Sequence, residues 1–94
     1  MKESQIQKKI LKYLKDNHIY HFKVIVANRR GIPDIIMCYK GTFVGLEVKR
    51  PGGQPTELQK INMRDIKVSG GEARVVTSVE EVIDIIQILN MEKK

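Results

Sequence analysis

The stretch from Gly31 to Arg50, GIPDIIMCYKGTFVGLEVKR, decides how this chain is read. Two apolar runs, Asp34–Tyr39 and Thr42–Lys49, flank Lys40 and Gly41. A two-residue connection with glycine second is a β-hairpin signal. Such a hairpin buries one face and gains nothing from charge at its open end, yet Asp34, Glu47 and Lys49 lie there. With the turn at Lys40 and Gly41, antiparallel pairing sets Asp34 beside Glu47, and like charges directly opposite one another destabilise a sheet. A divalent cation between them removes the repulsion, and hard carboxylate oxygens suit Mg²⁺ or Mn²⁺. Lys49 follows Glu47 by two residues and so shares its face, with its ammonium beside the expected metal. Val48, between them, points its side chain away and leaves its carbonyl as a further ligand. Phosphodiester hydrolysis uses such a set: the metal polarises a phosphoryl oxygen and acidifies a bound water, and the lysine stabilises developing charge. The same residues also fit a surface hairpin with an ordinary Glu47–Lys49 pair, although such pairs contribute only about 0–1 kcal/mol.

Upstream, Ser4 and Gln7 have capping-box spacing, and Ile6, Ile10, Leu11 and Leu14 recur at helical intervals, predicting a first helix over Ser4–Asn17. Lys8, Lys9, Lys12 and Lys15 make its outer face basic. Glu3 instead lines up with Ile10 and Leu14 on the apolar stripe, an unusual place for an acid. Tyr20–Ala27 alternates, with Tyr20, Phe22, Val24 and Val26 on one face, and reads as a first strand that NRRGIP then breaks. Downstream, PGGQP stops the third strand. Thr56 and Gln59 repeat the capping-box spacing and open a second helix with Leu58, Ile61 and Ile66 inward, ended by Gly70 and Gly71. EARVV is a fourth strand, Ser78 with Glu81 opens a third helix to about Leu89, and Lys93 and Lys94 read as a frayed basic tail. The order α-β-β-β-α-β-α specifies an α/β fold, a mixed four-stranded sheet flanked by helices. The third and fourth strands, joined through a helix, are expected to run parallel by a right-handed crossover.

A chain of 94 residues fits one domain. With 41% hydrophobic and 30% charged residues it reads as globular, and no apolar run approaches the roughly 20 residues that span a bilayer. MKESQIQKKI lacks the apolar core of a secretory signal. The single cysteine, Cys38, excludes an intrachain disulfide and points to a reducing, cytoplasmic setting; mid-strand among apolar neighbours, it is expected in the core. The net charge of +6 is unevenly distributed. Residues 1–50 hold 11 Lys and Arg against 4 Asp and Glu, whereas residues 51–94 hold 6 against 7. A basic first half attracts polyanions, with nucleic acid the first candidate. Three Tyr and two Phe are few for a platform that binds single strands by stacking. His18 and His21 have no Cys or His partner at zinc-site spacing and read as a helix end and a strand residue.

The hairpin resembles the Asp…Glu-x-Lys core of the PD-(D/E)XK nuclease superfamily. The ordered set ESQIQKKILKYL, RRGIPD, LEVKR, TELQKINMRDIKVSGG and VVTSVEEVIDII, spread over nearly the whole chain, resembles the virus-type replication-repair nuclease (VRR-NUC) domain. The resemblance implies an α-βββ-α-β core and a Mg²⁺- or Mn²⁺-dependent DNA endonuclease acting in replication, recombination or repair, from a phage or mobile element. It implies that Asp34, Glu47 and the Val48 carbonyl bind the metal and that Lys49 is catalytic. It also gives site roles to Glu3 and Gln59. The alternative for Glu3 is an N-terminal acid favourable to the helix dipole. Gln59 equally fits the capping partner of Thr56, and one side chain is not expected to do both. Arg29 and Arg30 are placed to grip phosphate beside the scissile bond. Branched DNA such as a Holliday junction suits a homodimer, for which Ile83, Ile85, Ile86, Ile88 and Leu89 offer a third helix apolar around much of its girth. The alternatives are a catalytically silent nucleic-acid-binding module of the same fold and a small α/β interaction domain with no nucleic acid partner. If Lys8, Lys9, Lys12 and Lys15 contact phosphates, DNA affinity in Ca²⁺ falls steeply with salt, and reversing all four charges reduces the log–log slope by up to about 3–4. A slope unchanged in fluorescence anisotropy titrations returns the four lysines to a merely solvated face.

Overall fold

The periodicities resolve into seven elements in the computed structural model, which describes residues 1–92: α1 (Glu3–Asp16), β1 (Tyr20–Lys23), β2 (Ile35–Tyr39), β3 (Thr42–Val48), α2 (Glu57–Val68), β4 (Glu72–Val76) and α3 (Val79–Glu92). The basic tail at Lys93 and Lys94 lies outside the described residues. Lys40 and Gly41 both have positive φ, 48° and 85°, as a type I′ turn requires. The ladder then runs from Tyr39↔Thr42 to Ile35↔Leu46. β1 pairs antiparallel with the other edge of β2, β4 pairs parallel with β3, and the sheet order is β1-β2-β3-β4.

The alternation of the strands divides the sheet into two unlike faces. On one, Ile35, Met37, Val44, Leu46, Val48 and Val76 pack against Ile6, Ile10 and Leu14 of α1 and Val82, Ile85, Ile86 and Leu89 of α3. On the other lies α2, which packs over β3 and β4. Gly45 makes this approach possible, because a Cβ there would lie 2.7 Å from Pro33 Cγ and 3.1 Å from Ile66 Cδ1.

Several expectations change in three dimensions. α1 is capped two residues early: the Lys2 N–H donates to Gln5 Oε1 at 2.9 Å, so the cap lies ahead of Ser4 and Gln7. β1 covers only half of Tyr20–Ala27. It can pair only as far as β2 reaches, Pro33 ends β2, and after Val24 N–H donates to the Asp34 carbonyl the chain leaves the sheet with Ile25 and Val26 exposed. Cys38 is exposed, not core, because it sits on the α2 face near the β1 side, beyond the strands that α2 covers. In α2, Leu58 and Ile61 face solvent and Asn62 is buried in their place, 5% exposed. α3 runs on to Glu92, and Ile85, Ile86 and Leu89 are spent on the protein's own core, leaving Ile88 and Met91 exposed.

Candidate active site

The register places the hairpin acids as the sequence implied. One step beyond Ile35↔Leu46 is Asp34 opposite Glu47, and both side chains emerge on the α2 face. Two steps beyond is Val48 opposite Pro33. Val48 turns its backbone polar groups toward β2, since Lys49 turns its own toward β4, donating N–H to the Val76 carbonyl. Pro33 has no N–H to offer the Val48 carbonyl. The Val48 N–H donates instead to Asp34 Oδ2 at 2.9 Å, which holds the Asp34 carboxylate at the open end of the hairpin.

Glu47 is 2% exposed. Its Oε2 accepts from Gln59 Nε2 at 3.0 Å and lies 3.7 Å from Lys49 Nζ. Its Oε1 is sealed from solvent and, among the described residues, has no hydrogen-bond partner. Burial and the adjacent Asp34 carboxyl push the Glu47 carboxyl up to about 8, with Glu3 adding a smaller push and Lys49 opposing. Gln59 performs both tasks that seemed exclusive. Its Oε1 accepts from the Thr56 N–H at 2.8 Å, the Thr56 hydroxyl accepts from the Gln59 N–H, and Nε2 remains free to reach Glu47. The capping box therefore aims the Gln59 amide at Glu47, because fixing one end of a planar amide orients the other.

The Arg29–Asp34 segment is fastened to α2 at three points. Gly31, at φ 75°, lies so close to the helix that a Cβ would be 2.6 Å from the Leu58 carbonyl. Asn62 Nδ2 donates to the Arg30 carbonyl at 2.6 Å, and Arg29 pairs with Asp65 at 3.0 Å. Asn62 was missed in the sequence; the signal was an amide one turn from Gln59 in a helix whose apolar residues do not form one clean stripe. Arg30 is exposed, as are Lys8, Lys9, Lys12 and Lys15, although Lys12 is paired with Asp16 at 2.6 Å. His18 follows the end of α1, and His21 Nδ1 lies 2.7 Å from the Ile19 carbonyl.

The same fold occurs in solved structures. One described as "VRR_NUC domain protein" superposes with TM-score 0.77 at 20% identity, covering 93% of this chain and 86% of that one. Another, described as "VRR_NUC domain", gives 0.77 at 23% identity over 90% of this chain and 94% of that one. This chain has the VRR-NUC fold. At such identities the likeness speaks for the fold alone, and no family model or curated protein matches the sequence. The α-βββ-α-β order expected of the VRR-NUC resemblance is thus present, followed by the C-terminal helix.

The donor set of this VRR-NUC fold accommodates a divalent cation. Among the described residues no three His, Cys, Asp or Glu side chains converge as ligands, so Glu3 adds field and not a third carboxylate. Asp34, Glu47 and the Val48 carbonyl remain. Mg²⁺ commonly binds through one or two carboxylates and keeps several waters, and a cation here would satisfy the orphaned Glu47 Oε1. Without metal, the fold holds the Glu47 proton to about pH 8, whereas an unperturbed glutamate releases it near 4.5. The native state therefore binds more protons across that window, and stability falls as pH rises through it. The melting temperature in EDTA is expected to fall from roughly pH 5 to pH 8. Glu47→Gln should flatten that dependence and be more stable than the parent at pH 8, on the order of a few kcal/mol. Parallel pH profiles for the two proteins would contradict this assignment.

Proposed function

We propose that the chain is a metal-dependent endodeoxyribonuclease that hydrolyses phosphodiester bonds, a VRR-NUC nuclease in activity as well as in fold. The observation that carries the reading is the juxtaposition of Asp34 with the buried, half-satisfied carboxyl of Glu47 at the end of a hairpin whose next side chain on that face is Lys49. Asp34, Glu47 and the Val48 carbonyl hold Mg²⁺ or Mn²⁺, which supplies Lewis-acid polarisation of the phosphate and an acidified water. Lys49, its side chain 14% exposed, is the residue that meets the substrate: its ammonium stabilises charge building on the phosphoryl oxygens or the attacking oxygen. Gln59 positions Glu47, and Glu3 adds negative potential that favours a bound cation. Arg29, Arg30 and the α1 lysines neutralise backbone phosphates and set the register of the strand, carrying no sequence information themselves.

The finer part of the proposal is a homodimer on branched DNA. A single small basic domain offers a limited footprint, and two copies about a two-fold axis set two sites at a fixed separation. On α3 the contact would use Ile88 and Met91, with the partly buried Ile83 beside them, since the other apolar residues are committed to the core.

Cleavage of a labelled panel of junction, flap, splayed-arm and duplex DNA tests the activity. Asp34→Ala and Glu47→Ala should abolish Mg²⁺-dependent cleavage, and Lys49→Ala should lower kcat by roughly 10²–10³ with metal binding retained. Undiminished cleavage by purified Asp34→Ala protein would rule this site out. For the dimer, light scattering during size-exclusion chromatography should give twice the 10.8 kDa of one chain. A monomer mass at micromolar concentration ends the dimer and, with it, the preference for four-way junctions.

A further inference from the structure

Beside the carboxylates, on the same face of the sheet, is a cavity of about 370 Å³ between α2 and the hairpin. Its walls are Pro33, Ile36, Phe43 and Ile66, with Arg29 and Asp65 at the rim. The volume is at the small end of the range for sites that bind organic ligands, about 300–1,000 Å³. Two features distinguish it from a packing defect. Phe43, half exposed at 48%, presents part of an aromatic ring that the fold does not use. Asn62, which lines the cavity, is 95% removed from solvent; its Nδ2 donates to the Arg30 and Leu58 carbonyls, and among the described residues nothing donates to its Oδ1. The cavity is thus lined by an amide whose acceptor is unmatched. A buried acceptor with no donor selects a ligand that brings an N–H.

The location narrows the ligand. Phe43, Gly45 and Glu47 succeed one another on one face of β3, so the cavity begins about 7–14 Å along the strand from the carboxylates. Pro33 belongs to both places: it walls the cavity and immediately precedes Asp34. Arg29 stands at the same mouth, where its guanidinium can meet phosphate. We infer that this cavity receives a nucleobase of the substrate strand, unpaired and a nucleotide or two from the scissile phosphate, with its ring against Phe43 and Pro33 and an amino or imino N–H donated to Asn62 Oδ1. This rests on the nuclease reading above and deepens it. A base must leave its stack to enter, and this costs least where the base is already unpaired. The cavity therefore selects DNA with an unpaired base beside the cut.

Two measurements separate this inference from the reading it rests on. In the first, ¹⁵N-labelled protein without metal is titrated with deoxynucleoside monophosphates and with deoxyribose 5-phosphate. Saturable shifts at the Asn62 side-chain amide, Ser69 and Gly71 are expected with the nucleotides and not with the sugar phosphate, and Phe43→Ala should weaken binding roughly tenfold, as loss of one stacked base does. Absence of such shifts at millimolar nucleotide overturns the inference whether or not the protein cleaves DNA. In the second, substrates with an unpaired base near the cut are compared with the same strands made abasic one position at a time. At one position base removal should lower kcat/KM about tenfold, and Phe43→Ala should cost about the same on the intact strand and nothing on the abasic one. If nucleotides bind but no abasic position matters, the cavity is a free-nucleotide site and the inference fails. If nucleotides bind and no DNA is cleaved, the nuclease reading falls and this inference, a substrate-strand base, falls with it.

Discussion

The contact between two carboxyl groups, Asp34 and Glu47, governs the structure around it. Placed side by side at the end of a hairpin, with Glu47 almost wholly out of water, the pair costs stability. The neighbours of the pair offset part of that cost. The Val48 N–H secures Asp34, Gln59 satisfies one Glu47 oxygen, and Lys49 brings a positive charge close without closing a short ion pair. One Glu47 oxygen is left with nothing. A fold selected for stability alone would replace such a pair by apolar residues, as buried ionic groups commonly can be. Retaining it makes sense where a cation is to be held.

Proline and glycine do as much for this site as its charged residues. Pro33 ends β2, releases the Val48 carbonyl from the ladder and, by closing over Gly45, defines the wall between carboxylates and cavity. Gly31 lets the preceding segment lie against the backbone of α2, in a conformation and at a distance that a side chain would forbid. Through this contact and the Asn62 hydrogen bond, the entry to Asp34 and the helix bearing Gln59 become one rigid body. Both ends of the carboxylate pair are thus positioned by α2, one through the loop and one through the capping amide. Such fastening fixes the carboxylates and the Gln59 amide in place in advance of any ligand.

The asymmetry of the sheet follows from the same division of labour. One face is filled by α1 and α3 and supplies the hydrophobic core. The other carries only α2, which leaves Tyr20, Phe22, Cys38 and Phe43 uncovered and opens the cavity. A second helix there would stabilise the domain further and close the way to the acids. The small core supports a face open on one side because α3 commits Val82, Ile85, Ile86 and Leu89 to it.

Much of this was legible from residues near one another in the chain. The turn at Lys40 and Gly41, and therefore the pairing of Asp34 with Glu47 and of Lys49 with the same face, follows from a two-residue loop, since hairpin register is set locally by the turn. The seven elements and their order follow from hydrophobic period and from Gly and Pro punctuation in the same way. What the sequence left undetermined depends on how α2 rotates against the sheet. That rotation buries Asn62 in place of Leu58 and Ile61, leaves Cys38 in solvent, and lets Gln59 cap its helix and hold Glu47 together. These outcomes are settled by contacts between residues far apart in the chain, Gly31 with Leu58 and Pro33 with Ile66 across Gly45, and only packing in three dimensions selects among them.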